Sequence, residues 1–167
     1  MVKSADSVVP ESSFIPKELF DRIQKVIPIV CVDLVILRRT VTGIEVLLIR
    51  RKLVTEVGKW CNIGGRLLKG ERLTAAINRQ AKRELGISVV IIPPWGANNP
   101  VRVFDDPEAD PQKHSVAMVY PVTIIAGRPA DSGPEFSESK WFLAKKLPKT
   151  MGFNHREEVQ AVTGIIS

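Results

Sequence analysis

The stretch that most constrains the fold reads Gly65-Arg66-Leu67-Leu68-Lys69-Gly70-Glu71 and, seven residues later, Arg79-Gln80-Ala81-Lys82-Arg83-Glu84-Leu85-Gly86-Ile87. Apolar residues recur every four at Leu73, Ile77, Ala81 and Leu85, so the spacing predicts a helix with one face to bury. Gly86 stops it. Residues 80 and 84 are one turn apart on a common row, with Arg79 and Arg83 on the neighbouring one. Glycines let such a loop, helix, loop unit turn sharply while the helix presents carboxylate and guanidinium groups, the ingredients of a site for a hard cation and phosphate oxygens. An ordinary amphipathic surface helix carries similar i, i+4 charges, so spacing alone leaves both readings open.

The flanking segments read mainly as strands. Pro16 opens a short amphipathic helix with Leu19, Phe20, Ile23 and Val26 at helical spacing. Ile29–Leu37 and Ile44–Ile49 are β-branched, apolar segments joined through Arg38–Gly43 as a hairpin. Gly58–Arg66 is turn-like. Ile87–Ile92 and Val101–Phe104 read as strands, the latter followed by the acidic loop that begins Asp105-Asp106. Ser115–Ile125 is a long strand whose internal Pro121 predicts an edge position or a bulge. Lys140–Leu143 is a short strand and Asn154–Ile165 a closing helix. The expectation is one α/β domain of the α+β kind over residues 14–167, a mixed sheet sandwiched between helices, behind a flexible arm over residues 1–13.

With 167 residues, 44% of them hydrophobic and 25% charged, the chain can bury a core without a structural metal or disulfides. Cys31 and Cys61 sit among apolar neighbours with no secretion signal ahead of them, which favours reduced, buried thiols and a cytoplasmic protein. The apolar run Val26–Leu37 is interrupted by Asp33 and is too short to span a bilayer. A net charge of +6 favours anionic partners. The basic residues are scattered rather than clustered, which argues against nucleic acid and for phosphorylated small molecules.

The spacing of the glycine, glutamate and arginine residues resembles the signature of the Nudix family. The family's first two metal-binding glutamates are replaced by Gln80 and Arg83 while Glu84 is kept, and this pattern looks like the GDP-mannose mannosyl hydrolase branch. The likeness extends to Pro16-Lys-Glu-Leu-Phe20, Pro28–Asp33, Leu47–Arg51, Trp60–Arg66, Phe104-Asp105-Asp106 and Lys140-Trp141, roughly residues 14 to 160. It implies the Nudix fold and one Mg²⁺ ion, with Mn²⁺ an alternative, held by the Gly64 carbonyl, Glu84 and Glu135. It further implies that Asp33, Arg51, Arg66 and Arg102 hold a nucleotide sugar, that Arg79 serves the reaction, and that the chain forms a homodimer. Arginine suits the diphosphate because its planar fork pairs with phosphate oxygens and offsets charge on a leaving group. Glu71 is expected to brace the loop rather than touch metal.

One departure bears on mechanism. Where the branch carries a metal-binding Gln followed by a His that acts as base, this chain has Glu135 and Phe136, and phenylalanine accepts no proton. Glu135, Glu138 or His114 must then activate water, or the reaction differs. His114 and His155 otherwise read as surface histidines. The resemblance thus implies hydrolysis of GDP-mannose or GDP-glucose to GDP and hexose. Cleavage at phosphorus to a nucleoside monophosphate, or a silent sensing domain, stand beside it.

Overall fold

The computed structural model describes residues 15–53 and 55–166. The arm expected over 1–13 lies outside them. The β-branched segments after Pro28 pair as predicted: β1 (Ile29–Thr40) and β2 (Gly43–Arg51) are antiparallel, with Thr40 opposite Gly43. The connection is tighter than the Arg38–Gly43 loop expected, because the strands continue through both arginines. Arg38 Nε donates to Glu45 Oε2 across the pair at 2.6 Å and its guanidinium lies 4.1 Å from the Trp141 ring centre.

The remaining elements are α1 (Lys17–Ile23), β3 (Trp60–Cys61), β4 (Ile63–Arg66), α2 (Leu73–Leu85), β5 (Ser88–Ile91), β6 (Arg102–Phe104), β7 (Ser115–Ala126), β8 (Phe136–Leu143) and α3 (His155–Ile166). Among the described residues they form one eight-stranded mixed sheet running β3-β2-β1-β7-β5, with β4 also on β1, β6 on β7 and β8 on β2. The α+β expectation holds. Two short strands replace the turn expected near Trp60–Arg66, since Gly64 and Gly65 let β4 approach β1 closely enough to pair with Cys31–Leu34. The helix predicted from the four-residue spacing is α2, and Gly86 caps it at φ 71° in the left-handed region.

Pro121 overturns its own prediction. The strand that carries it, β7, is central: it runs parallel to β1, with Pro121 opposite Val35, and antiparallel to β5 and β6. The Pro121 carbonyl accepts from Ile92 N–H at 2.9 Å, on the flank where β5 ends opposite Val122 and β6 begins opposite Val119. A strand residue sends N–H and C=O to the same side. The missing donor therefore falls at the junction of two short strands, where no ladder bond is lost.

Side-chain alternation on β1 sets the two layers. Val32, Leu34 and Ile36 face Ile77, Ala81 and Leu85 of α2, while Val35 and Leu37 face Val159 and Val162 of α3. Asp33 shares the α3 face. At the same end, Ile29 and Cys31 pack with Ala117 beneath Phe20 and Ile23 of α1. That helix covers less than its pattern promised: it ends at Ile23, and Leu19, Val26 and Ile27 are exposed. No described helix is long and apolar enough to cross a membrane.

Candidate active site

A cleft of about 310 Å³ opens where β1 exchanges one neighbour for another, β4 facing Cys31–Leu34 and β2 taking over at Ile36. Its walls come from Gly64–Arg66, the end of α2 at Arg83 and Glu84, the 106–113 loop, Glu135, and the start of α3. The bulge between β2 and β8 shapes one side: Arg50 faces Glu138 but Arg51 faces Phe136. A bulge re-aims side chains. Here Arg51 and Glu135 line the cleft, while Phe136 turns into the core at 1% exposure.

Three guanidinium groups, those of Arg51, Arg66 and Arg83, line this cleft. Burial, then the neighbouring charges of Arg79 and Arg83, lower the Arg66 pKa. Like charges held together in this way favour an anion between them. Arg66 rests on the Phe20 ring, 4.2 Å from its centre, and Arg51 lies 5.3 Å from that of Phe153. Facing them, burial and then the Glu135 carboxylate push Glu84 up to about 8. Glu84 is half-buried and lines the cleft from the end of α2. Arg83 reaches Glu135 at 3.2 Å. Two adjoining carboxylates, one of them short of compensating charge, make an oxygen donor set that fits a hard divalent cation.

Gly64 is required by contact rather than by backbone angle, and Gly65 lies against the end of a side chain. A Cβ on Gly64 would lie 2.0 Å from Asp33 Oδ1 and 2.5 Å from the Val32 carbonyl, and one on Gly65 would lie 2.3 Å from Gln80 Nε2. Beneath this turn Arg79 grips Glu71, with Nε 2.6 Å from Oε1 and Nη2 2.9 Å from Oε2, and also donates to the Arg66 carbonyl at 3.0 Å. Glu71 Oε2 accepts the Leu68 N–H at 3.0 Å. Gln80, with its amide set to satisfy both neighbours, accepts from Arg79 Nη1 at 3.2 Å and donates to Glu84 Oε1 at 3.3 Å. A continuous chain thus runs from the loop to Glu84.

The floor holds a second cluster. Asp33, His155 and Glu158 bring one ligand atom each within 4.8 Å of one another. Asn62 N–H donates to His155 Nδ1 at 3.0 Å and Asn62 Nδ2 to Glu158 Oε2 at 2.7 Å. Burial pushes Asp33 up to about 6, and burial with the neighbouring Asp33 carboxyl pushes Glu158 well above the usual carboxylate range. His155 is pushed down to about 3 by burial, then by Arg51 and Lys113. It is a buried neutral imidazole, not a surface histidine.

Of the residues singled out by sequence, Asp33, Arg51, Gly64, Arg66, Glu84 and Glu135 meet in the cleft. Arg79 stands just behind it in the loop brace. Arg102 is exposed beside the Phe104 ring, 5.2 Å from its centre, and Glu138 is in register with Arg50; neither lines the cleft. His114 Nε2 lies 2.9 Å from the Asp105 carbonyl, outside it. Asn62, Glu158 and the role of His155 were missed. The available signal was Asp33 itself, an acid in an apolar strand that required partners on the facing helix.

The family model of the NUDIX domain matches residues 28–162. The chain belongs to the Nudix family. It is 29% identical over 116 residues to an ADP-ribose pyrophosphatase of Methanocaldococcus jannaschii, covering 70% of this chain and 64% of that protein. It is 30% identical over 94 residues to the nucleoside triphosphatase NudI of Escherichia coli O139:H28, covering 54% and 65% respectively. The chain thus spans just under two thirds of the length of these curated relatives. Among solved structures, a MutT NUDIX hydrolase from Burkholderia pseudomallei superposes with a TM-score of 0.67 at 27% identity, covering 81% of this chain and 98% of that one. The NUDIX domain of Shewanella oneidensis NrtR, complexed with ADP ribose, gives 0.69 at 15% identity, covering 93% and 96%, a likeness of fold.

Proposed function

We propose that this chain is a Mg²⁺-dependent hydrolase, with Mn²⁺ as an alternative ion, that splits a nucleoside diphosphate joined to a sugar by water attack at phosphorus. The convergence of Arg51, Arg66 and Arg83 with Glu84 and Glu135 on one cleft carries this reading. The arginines hold the diphosphate and offset charge on the departing phosphate. Glu84, Glu135 and the Gly64 carbonyl would hold the ion, which supplies Lewis-acid polarisation of the diphosphate. Glu135, beside the arginines and on the cleft wall, takes the proton from the attacking water, in place of the histidine that Phe136 replaces. Arg79 serves by holding the loop, through Glu71. The pyrophosphatase named among the relatives supports attack at phosphorus.

A second reading is attack at the sugar carbon of GDP-mannose or GDP-glucose, releasing GDP and hexose. The replacement of two signature glutamates by Gln80 and Arg83 favours it. Turnover of a panel of nucleotide sugars in ¹⁸O-water separates the two. Label in a nucleoside monophosphate or sugar phosphate supports the first, and label in free sugar supports the second. A panel that yields no metal-dependent turnover refutes both and leaves a sensing domain.

The enzyme unit is one Nudix domain over residues 14–167, paired as a homodimer through the α1 end, where Leu19, Val26 and Ile27 are exposed. A monodisperse monomer in sedimentation at micromolar concentration would refute the pairing. Buried, unpaired Cys31 and Cys61 support a reducing, cytoplasmic setting.

A further inference from the structure

We propose that Asn62, His155 and Glu158, with Asp33, form a pocket for neighbouring hydroxyl groups on the part of the substrate next to its diphosphate. The inference rests on the nucleotide-sugar reading above and names what that cleft recognises. Two unanswered polar groups carry it. Asn62, 3% exposed, lines the cleft with an Oδ1 that has no hydrogen-bond partner. His155 Nε2 lies 3.9 Å from Asp33 Oδ2 and 4.0 Å from Glu158 Oε2, both beyond hydrogen-bonding reach. Buried polar atoms are normally satisfied, so an acceptor and a donor left open at a cleft floor point to a ligand that supplies the complements.

The histidine tautomer selects the chemistry. A backbone N–H can only donate, so the bond from Asn62 to His155 Nδ1 makes Nδ1 the acceptor. A neutral ring then carries its proton on Nε2, the nitrogen that faces the carboxyl groups. A metal at Nε2 would have to displace that proton, whereas ligating histidines ordinarily donate from the other nitrogen. A hydroxyl matches this pair in kind: it accepts from Nε2–H and, once the Asn62 amide turns toward it, donates to Oδ1. A neighbouring hydroxyl donates to Asp33. Glu158, which accepts from the Asn62 amide and lies beside Asp33, holds the Asn62 side chain in place. The cluster adjoins the phosphate end of the cleft, because Asp33 touches the Gly64 turn. The hydroxyls it reads are therefore those of a sugar bonded to the diphosphate, either the distal sugar or the nucleoside ribose.

Calorimetric titration in EDTA, where no metal supports turnover, tests this with GDP-mannose, ADP-ribose, GDP and ADP as probes. Asn62→Leu removes the open acceptor at similar size. Glu158→Gln is isosteric and keeps an oxygen for the Asn62 amide, so it guards against a folding artefact in the first variant. Each variant is expected to weaken a sugar-bearing probe roughly tenfold or more. A loss of less than about twofold for GDP and ADP assigns the hydroxyls to the distal sugar, and an equal loss assigns them to the ribose; either supports the pocket. Unchanged affinity for all four probes in a folded Glu158→Gln protein overturns it and leaves the hydrolase reading standing. Loss of a tightly bound Zn²⁺ or Mn²⁺ ion in that variant also overturns it, in favour of a metal site. A wild-type protein that binds none of the probes overturns the pocket, while the hydrolase reading stands or falls by turnover of the nucleotide-sugar panel with Mg²⁺.

Discussion

Arg79 and Glu71 form a two-point ion pair behind the glycine turn, the carboxylate side chain fully buried and the guanidinium 14% exposed. Breaking a buried pair strands the remaining charge, at a cost of about 3 kcal/mol or more. Glu71→Ala is therefore expected to lower the melting temperature by roughly 6–12 °C. Arg79→Lys, which keeps the charge but not the fork, should lower it less. Thermal unfolding followed by circular dichroism checks both, and an unchanged Glu71→Ala midpoint would remove the loop brace from the account.

Glu84 ties stability to pH. Its folded pKa of about 8 exceeds the ordinary 4.5, so the folded state holds this proton more tightly than the unfolded chain does. The associated stability is complete below about pH 4.5 and is lost as pH rises through about 8. Metal-free protein should accordingly melt lower at pH 9 than at about pH 6, and Mg²⁺ should restore most of the difference. Glu84→Gln should abolish turnover, keep the fold and remove this slope. A slope that survives in Glu84→Gln assigns the titration to another group.

The two adjacent glycines are not equivalent. Alanine at Gly64 meets the Val32 backbone as well as Asp33, and backbone cannot step aside; alanine at Gly65 meets only the end of the Gln80 side chain. Gly64→Ala is expected to cost several times more stability than Gly65→Ala. Gly65→Ala should chiefly lower kcat, by displacing Gln80 and with it Glu84. Paired denaturation and kinetic measurements would contradict this if the two variants behaved alike.

Glu135 and Glu138 are separated by their place on the bulged strand. Glu135→Gln is expected to reduce kcat by roughly 10²–10⁴-fold. Glu138→Gln, in register with Arg50 away from the cleft, should change it little. A dead Glu138→Gln with an active Glu135→Gln would transfer the proton-accepting role.

The helix of the signature, the β1–β2 pair and the acid in β1 were all legible in the chain because each is a local pattern: a four-residue repeat, a β-branched run, a charge among apolar neighbours. Pro121 misled because its tolerance depends on two short strands meeting beside it, which is a tertiary fact. His155 misled for a related reason. A local pattern tells which residues share a face, but the packing of α3 against β1 and the bond from Asn62 decide that His155 lies inward. The partners of Asp33 lie more than a hundred residues away on α3, so no spacing rule could name them.

Phe20 belongs to a seven-residue helix outside the signature, yet its ring carries the guanidinium of Arg66. On the phosphate-binding role proposed for Arg66, the hold on the substrate rests on a segment that defines the family and on one that does not, so Phe20→Leu should loosen the substrate while leaving the signature intact.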